Sequence, residues 1–458
     1  MAKSSASGKS KMANLSGTSP SPRTPPPMSS CQMGVESRST KPVNMKFALS
    51  KIRLACNNLV TKTIKKQPPI WPQTHSVWKA VVFLTVILLG IVLILSFWSS
   101  KSIRTSMRLS AGWSHTCFIN DLGRVLCWGN NGSGQLGDGT FTSRSAPVPV
   151  TGLDAQAIAI SAGKYFTCAL TTVGGVKCWG ANDVGQLGNA VSEWSSPLPV
   201  TIHGLEEDKI QSISAGGSHA CALTQTGKVK CWGFNGRGQL GMGRESKFES
   251  VTEITQLNEN IISIAAGAEH TCALTRNGTV TCWGDNQFGQ LGDGTNERRP
   301  LPVDVIGLPP AVAISAGKNH TCAISHNKKV YCWGDNRYGQ LGNGATEVSS
   351  RPVETLDLIK VILIDVGGQH SCALTGDHRL ACWGFNRFGQ LGNGKNADSK
   401  IPSSVPSISR PILEIAAGGE HTCAWLGHEK IICWGSNSFG QLGNGSTAQQ
   451  HLPVNVLP

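Results

Sequence analysis

Fourteen of the sixteen cysteines fall into seven pairs spaced ten residues apart: Cys117/Cys127, Cys168/Cys178, Cys221/Cys231, Cys272/Cys282, Cys322/Cys332, Cys372/Cys382 and Cys423/Cys433. Two residues before the first cysteine of six pairs stands a histidine (His115, His219, His270, His320, His370 and His421), and Phe166 takes that place in the remaining pair. Thiols and imidazoles in this pattern offer two chemistries. In a strand, His-x-Cys points both side chains to one face, near the opposite cysteine, which makes a plausible metal donor set. Two cysteines facing each other across a hairpin make a disulfide instead. The unit carrying Phe166 argues against metal, because both cysteines persist without the imidazole. The histidines are therefore read as structural, bonding backbone within their own unit. No metal, cofactor or catalytic residue is expected, and near-equivalent histidines in six copies do not resemble a catalytic set.

The elements that hold these residues are short strands. Cys221-Ala-Leu-Thr-Gln-Thr-Gly-Lys-Val-Lys-Cys-Trp232 reads as two strands around a turn. Gly123, Gly174, Gly227 and Gly278 occupy the third place of a three-residue loop, where the left-handed backbone wants glycine. Three units lack it, so their loop should differ slightly. With that loop the two cysteines of each pair lie opposite each other at a non-hydrogen-bonded site, where Cα atoms are roughly 4.5 Å apart. A disulfide closing so short a loop is worth on the order of 3 kcal/mol. Disulfides are the expectation for a domain outside the reducing cytosol, and buried free thiols the alternative inside it.

The hairpin belongs to a larger repeat. Ser110-Ala-Gly-Trp-Ser-His-Thr-Cys117 returns as Ser161-Ala-Gly-Lys-Tyr-Phe-Thr-Cys168, Ser214-Ala-Gly-Gly-Ser-His-Ala-Cys221 and Ala265-Ala-Gly-Ala-Glu-His-Thr-Cys272, then three times more. First cysteines stand 51, 53, 51, 50, 50 and 51 residues apart, the period of a propeller or solenoid array. A β-prone stretch such as Ala157-Ile-Ala-Ile160 and a Pro-punctuated one such as Pro147-Val-Pro-Val150 bring each unit to four strands, the count of a propeller blade. Prolines suit an edge strand. Unit one has no Pro-Val strand before it and unit seven is followed by one, His451-Leu-Pro-Val-Asn-Val456, so the last strand is expected to complete the first blade. Trp128, Trp179, Trp232, Trp283, Trp333, Trp383 and Trp434 recur in step and are read as packing between blades.

Ser/Ala-Ala-Gly-x-x-His-Thr-Cys-Ala-Leu-Thr, followed by Cys-Trp-Gly-x-Asn-x-x-Gly-Gln-Leu-Gly-x-Gly, resembles the repeat of the regulator of chromosome condensation family over about 350 residues. The resemblance implies a seven-bladed propeller. Its founding member is a nuclear guanine-nucleotide exchange factor for a small GTPase, but the motif is structural and identifies no exchange-factor contacts. The cysteine-rich form looks more like extracytoplasmic members of the family.

The expected fold is all-β: a seven-bladed β-propeller of four-stranded blades closed by the C-terminal strand, preceded by one transmembrane helix and a disordered tail. Residues 1–76, rich in Ser, Pro, Lys and Thr, form the disordered basic cytoplasmic tail, which contains Cys31 and Cys56. Residues 80–98 carry no charge and include mostly Val, Leu and Ile, so 78–99 is read as a transmembrane signal-anchor helix. A linker, 100–108, leads to the propeller, 109–458. Residues 1–108 hold 16 Lys/Arg against the single acid Glu36, leaving 25 basic and 27 acidic residues beyond them. The basic flank sets the N-terminus inside and the propeller extracellular or lumenal. The near-neutral propeller gives no sign of a phosphate-tracking surface, so no nucleic-acid partner is expected.

The function these features imply is a membrane-anchored module that binds a protein (or glycan) partner on a propeller face and is not an enzyme. The alternative is a guanine-nucleotide exchange factor or other enzyme regulator. Loops that depart most from the repeat, 142–146, 191–196, 244–252 and 395–402, are the expected specificity determinants. Asn131, Asn277 and Asn444 match the glycosylation acceptor pattern.

Overall fold

The computed structural model describes residues 107–189, 193–257, 260–406, 408 and 410–458. The expected tail, with Cys31 and Cys56, and the expected membrane helix lie outside the described residues. Seven four-stranded antiparallel sheets follow one another along the chain, here numbered blades one to seven. Blade one consists of Leu109–Ala111, His115–Ile119, Val125–Gly129 and Arg144–Pro149; blade seven of Glu414–Ala417, His421–Trp425, Ile431–Gly435 and Gln450–Asn455.

Burial explains the sequence of each strand. The second strand is covered on both faces by neighbouring blades, so His270–Thr275 is buried along almost its whole length. Such a strand takes small apolar residues, cysteine and satisfied polar groups. The fourth strand is the outer edge, half-exposed in Arg299–Asp304 and its counterparts, where proline removes no ladder bond. The cores lie between blades. The tryptophan of one blade packs against the cysteines of the preceding blade, as Trp179 does in a cluster with Cys117, Cys127 and Leu136.

Closure differs from the sequence expectation. The C-terminal strand pairs with its own unit, Ile432 opposite Asn455 and Cys433 opposite Val454, just as Leu126 faces Pro149 in blade one. Each Pro-Val strand thus completes the unit it follows. After the third strand the chain turns through Gly-Gln-Leu-Gly and returns antiparallel onto that strand's open edge. This local pairing covers the edge without a crossing connection.

The ring instead closes through contacts between complete blades. Seven backbone bonds circle the axis, from Trp113 N to Gly163 O at 3.3 Å round to Gly419 N to Gly112 O at 3.1 Å. Glycine is required beside them: a Cβ on Gly112 would collide with the Gly163 oxygen and the His115 ring. At the joint between blades seven and one, Glu414 Oε2 also accepts from the N–H groups of Arg108 and Leu109, both at 3.1 Å.

The hairpin loops are more uniform than expected. Lys328, His378 and Glu429 stand where other blades have glycine and adopt the same left-handed backbone, with φ of 63°, 63° and 54°. Only the loop of blade seven changes further, adding left-handed Gly427 and His428.

Candidate binding face

Most of the repeated side chains are used to join blades. Thr167 of blade two donates its hydroxyl proton to the Gln135 carbonyl of blade one at 2.9 Å, and Trp179 donates its indole N–H to the same oxygen at 2.9 Å. Having spent its only proton, the Thr167 oxygen must accept from His115 Nε2, 2.9 Å away. The imidazole is therefore the Nε2–H tautomer, and its Nδ1 has no hydrogen-bond partner. This clasp recurs from His219 to Thr271, His270 to Thr321, His320 to Ser371, His370 to Thr422 and His421 to Thr116. The histidine partner is thus a hydroxyl of the next blade, not backbone within the blade. Burial pushes the pKa of five of these imidazoles down to about 3 and that of His270 to about 4.

Blade two is the exception on both sides of its joint. Phe166 replaces the histidine, and the residue facing it from blade three is Ala220 where other blades have Thr or Ser. Both are buried in one apolar cluster. The indole bond survives there, from Trp232 to the Gln186 carbonyl at 3.0 Å.

The cysteines meet within blades, second strand to third. Cys117 faces Cys127 in blade one, Cys168 faces Cys178 in blade two, Cys221 faces Cys231 in blade three and Cys272 faces Cys282 in blade four. Cys322 and Cys332, Cys372 and Cys382, and Cys423 and Cys433 do the same in blades five to seven. Every pair has its Cα atoms 4.1 Å apart and its sulfurs at disulfide distance, and all fourteen residues are buried. They belong to the scaffold, since none of them lines the axis or the cavity beside it. Among the described residues no three His, Cys, Asp or Glu side chains group as metal ligands.

Because strands alternate in direction, the turn from first to second strand and the loop from third to fourth share one face of the disc. Hairpins and blade-to-blade connections occupy the other, as do the start of the described chain at Met107 and its end at Pro458. The loop face collects side chains that the clasps do not use. Trp113, directly after the turn glycine of blade one, lies over the axis against Gly419. Lys164 of blade two and Lys318 of blade five bring their ammonium groups to 5.4 and 5.3 Å from the Trp113 ring. Beside them opens a cavity of about 460 Å³ that reaches Phe234 and Phe288. An aromatic band continues outward: the Arg337 guanidinium lies 4.8 Å from the Phe288 ring, Tyr338 packs at 4.8 Å on Phe385, and Phe385 at 6.0 Å on Phe388.

The RCC1-like domain matches residues 94–424, and the regulator of chromosome condensation (RCC1) repeat matches 412–441 and 429–458. The chain belongs to the RCC1-like domain family. The ultraviolet-B receptor UVR8 of Arabidopsis thaliana is 37% identical over 205 residues, 43% of this chain and 46% of that protein. The probable E3 ubiquitin-protein ligase HERC6 of Homo sapiens is 36% identical over 198 residues, 42% of this chain and 19% of that protein. The aligned part is less than half the length of these curated relatives. Prp20p of Saccharomyces cerevisiae, described with its binding to Gsp1p and histones, superposes with a TM-score of 0.67 at 25% identity, over 77% of this chain and 88% of that one. Human WBSCR16 shares the fold, with a TM-score of 0.63 at 24% identity over 70% of this chain and 88% of the other.

Within this RCC1-like frame the other expected sites fall as follows. Loop 142–146, the described part of 191–196, loop 244–252 and loop 395–402 run into or along the outermost strands, at the rim of the disc. The axial residues Trp113, Lys164 and Lys318 were not singled out in the sequence, although they are the large side chains at a position otherwise occupied by Gly or Ala. Asn131 belongs to the scaffold: it is fully buried, its Oδ1 accepts from Leu136 N at 2.9 Å, and its Nδ2 donates to the Thr140 and Thr142 carbonyls. The same Asn in the other units likewise accepts from the Leu N–H of Gly-Gln-Leu-Gly. Asn277 lies exposed on a hairpin, and Asn444 is half-buried with its Oδ1 taken by Asn437 Nδ2 and Ser446 N.

Proposed function

We propose that this protein is a membrane-tethered recognition module, anchored by residues 78–99, that presents its propeller outside the cytosol and binds a protein partner on the loop face. The observation that carries this reading is the gathering of Trp113, Lys164, Lys318, Phe288, Arg337 and Tyr338 on one rigid face. Aromatic and Arg side chains on a preorganised surface are typical anchors of protein interfaces. The described chain starts at Met107 on the face opposite the loop face. Seven buried cysteine pairs at bonding distance favour an oxidising compartment.

Two measurements test the reading together: external protease on intact cells, and non-reducing mass spectrometry of the isolated protein. Exposure of the propeller to protease with seven intact bridges is the expected result. A propeller shielded from protease with fourteen free thiols would overturn it and restore the exchange-factor alternative, which needs a cytosolic propeller.

A further inference from the structure

We infer that the axial basin formed by Trp113, Lys164 and Lys318 is the seat for a carboxylate of the partner, presented as an Asp or Glu side chain next to an apolar residue. The inference rests on the protein-binding reading above and adds the chemistry of the anchor.

Two lysines from blades two and five converge on one indole, both within 5.4 Å of its ring centre. Among the described residues neither Nζ has an ion pair or hydrogen bond. An exposed cation–π contact is worth only about 0.5–1 kcal/mol, so each ammonium group is held weakly by the ring. A carboxylate seated beside the indole would accept a charge-assisted hydrogen bond from an ammonium group, which is stronger than the contact to the ring. The half-buried Glu420 is the carboxylate nearest in influence to Lys318. Its pKa is raised by burial, against the pull of Lys318.

The cavity wall selects the kind of anion. Asp183, Glu269 and Asp285 also line it, the latter two already paired with Arg237 and Arg298. A polyphosphate or polyuronate running across the face would meet these three carboxylates, whereas a single carboxylate reaching the axis would not. Phe234 and Phe288 on the same wall offer an apolar surface to the residue beside it.

The test pans a random nonapeptide phage library against the full-length protein in nanodiscs. Enriched peptides should carry Asp or Glu next to an aromatic or aliphatic residue. As synthetic peptides they should bind Lys164→Gln/Lys318→Gln roughly tenfold more weakly than the parent, and weaken with added salt. Lys209→Gln/Lys430→Gln, an equal charge change on the hairpin face, should leave them unchanged, and all variants should unfold at the parent temperature. Enriched peptides that lack an acid, or that ignore the two lysines, would overturn the carboxylate anchor and leave protein binding standing. Failure to enrich any peptide would count against both. Lysine-dependent binding of a dT20 oligonucleotide or heparin in place of the peptides would overturn the choice of partner class.

Discussion

Trp128 in blade one donates its indole N–H to the Gln441 carbonyl of blade seven at 2.9 Å, the same bond that Trp283 makes to Gln239 within the ring. The closing joint is therefore built like the others, with no exchanged strand. Replacing Trp128 or Trp283 by Phe removes one buried indole bond in either case, at a cost of about 1–3 kcal/mol. The two variants should lose similar thermal stability. A much larger loss for Trp128→Phe, with noncooperative unfolding, would show that the closing joint is a weak point.

Phe166 and Ala220 are matched substitutions across one joint. Introducing His at 166 alone would bury an Nε2–H facing a methyl group, at roughly 1–3 kcal/mol. Adding Ala220→Thr should recover much of that loss, because the new hydroxyl can accept from the imidazole and donate to the Gln186 carbonyl, as its counterparts do. A double-mutant cycle by thermal unfolding measures the coupling. Additive effects would mean that the two positions are independent.

The six clasp histidines set an acid limit. Their folded pKa of about 3 to 4 lies below the unfolded value of about 6.5, so their contribution is complete above pH 6.5 and is lost as pH falls toward 3. Two enclosed acids act in the opposite sense: burial raises Asp365 to about 6 and Glu414 to about 8, so their contribution is present at low pH and lost as pH rises through those values. Six groups outweigh two. Melting temperature should therefore drop steeply below about pH 6 with the disulfides intact, and His270→Phe/Thr321→Ala should make that drop shallower. An unchanged slope in this variant would remove the histidines as its cause.

The repeat made the seven blades and the facing cysteines legible, because both follow from spacing within a unit. The phase of the blade was not legible. A periodic sequence marks no origin, and the Pro-Val strand is consistent with pairing on either side until the return of the Gly-Gln-Leu-Gly turn is known. The clasps were half visible: His115 and Trp179 stood out as repeated residues, but their meeting at the Gln135 carbonyl depends on how blades stack. The candidate binding face was not legible for another reason. Segments outside the repeat phrase stand out in a sequence, whereas Trp113, Lys164 and Lys318 sit inside it, at a position that is Gly or Ala in the other blades.

Asn131 and Asn277 show how structure divides equal sequence signals. The Asn131 amide is buried and donates both to Asp138 Oδ1 at 3.1 Å and to the loop carbonyls, so a glycan there would dismantle the loop that carries Leu136. Asn277 is exposed on the hairpin of blade four. If the propeller passes through a secretory pathway, glycosidase treatment should shift the mass of the parent protein, and Asn277→Gln should abolish most of that shift. Asn131→Gln should instead lower stability by about 1–3 kcal/mol with no change in glycan mass, because the longer side chain misplaces the buried amide. A glycan found on Asn131 in folded protein would contradict this placement of the loop.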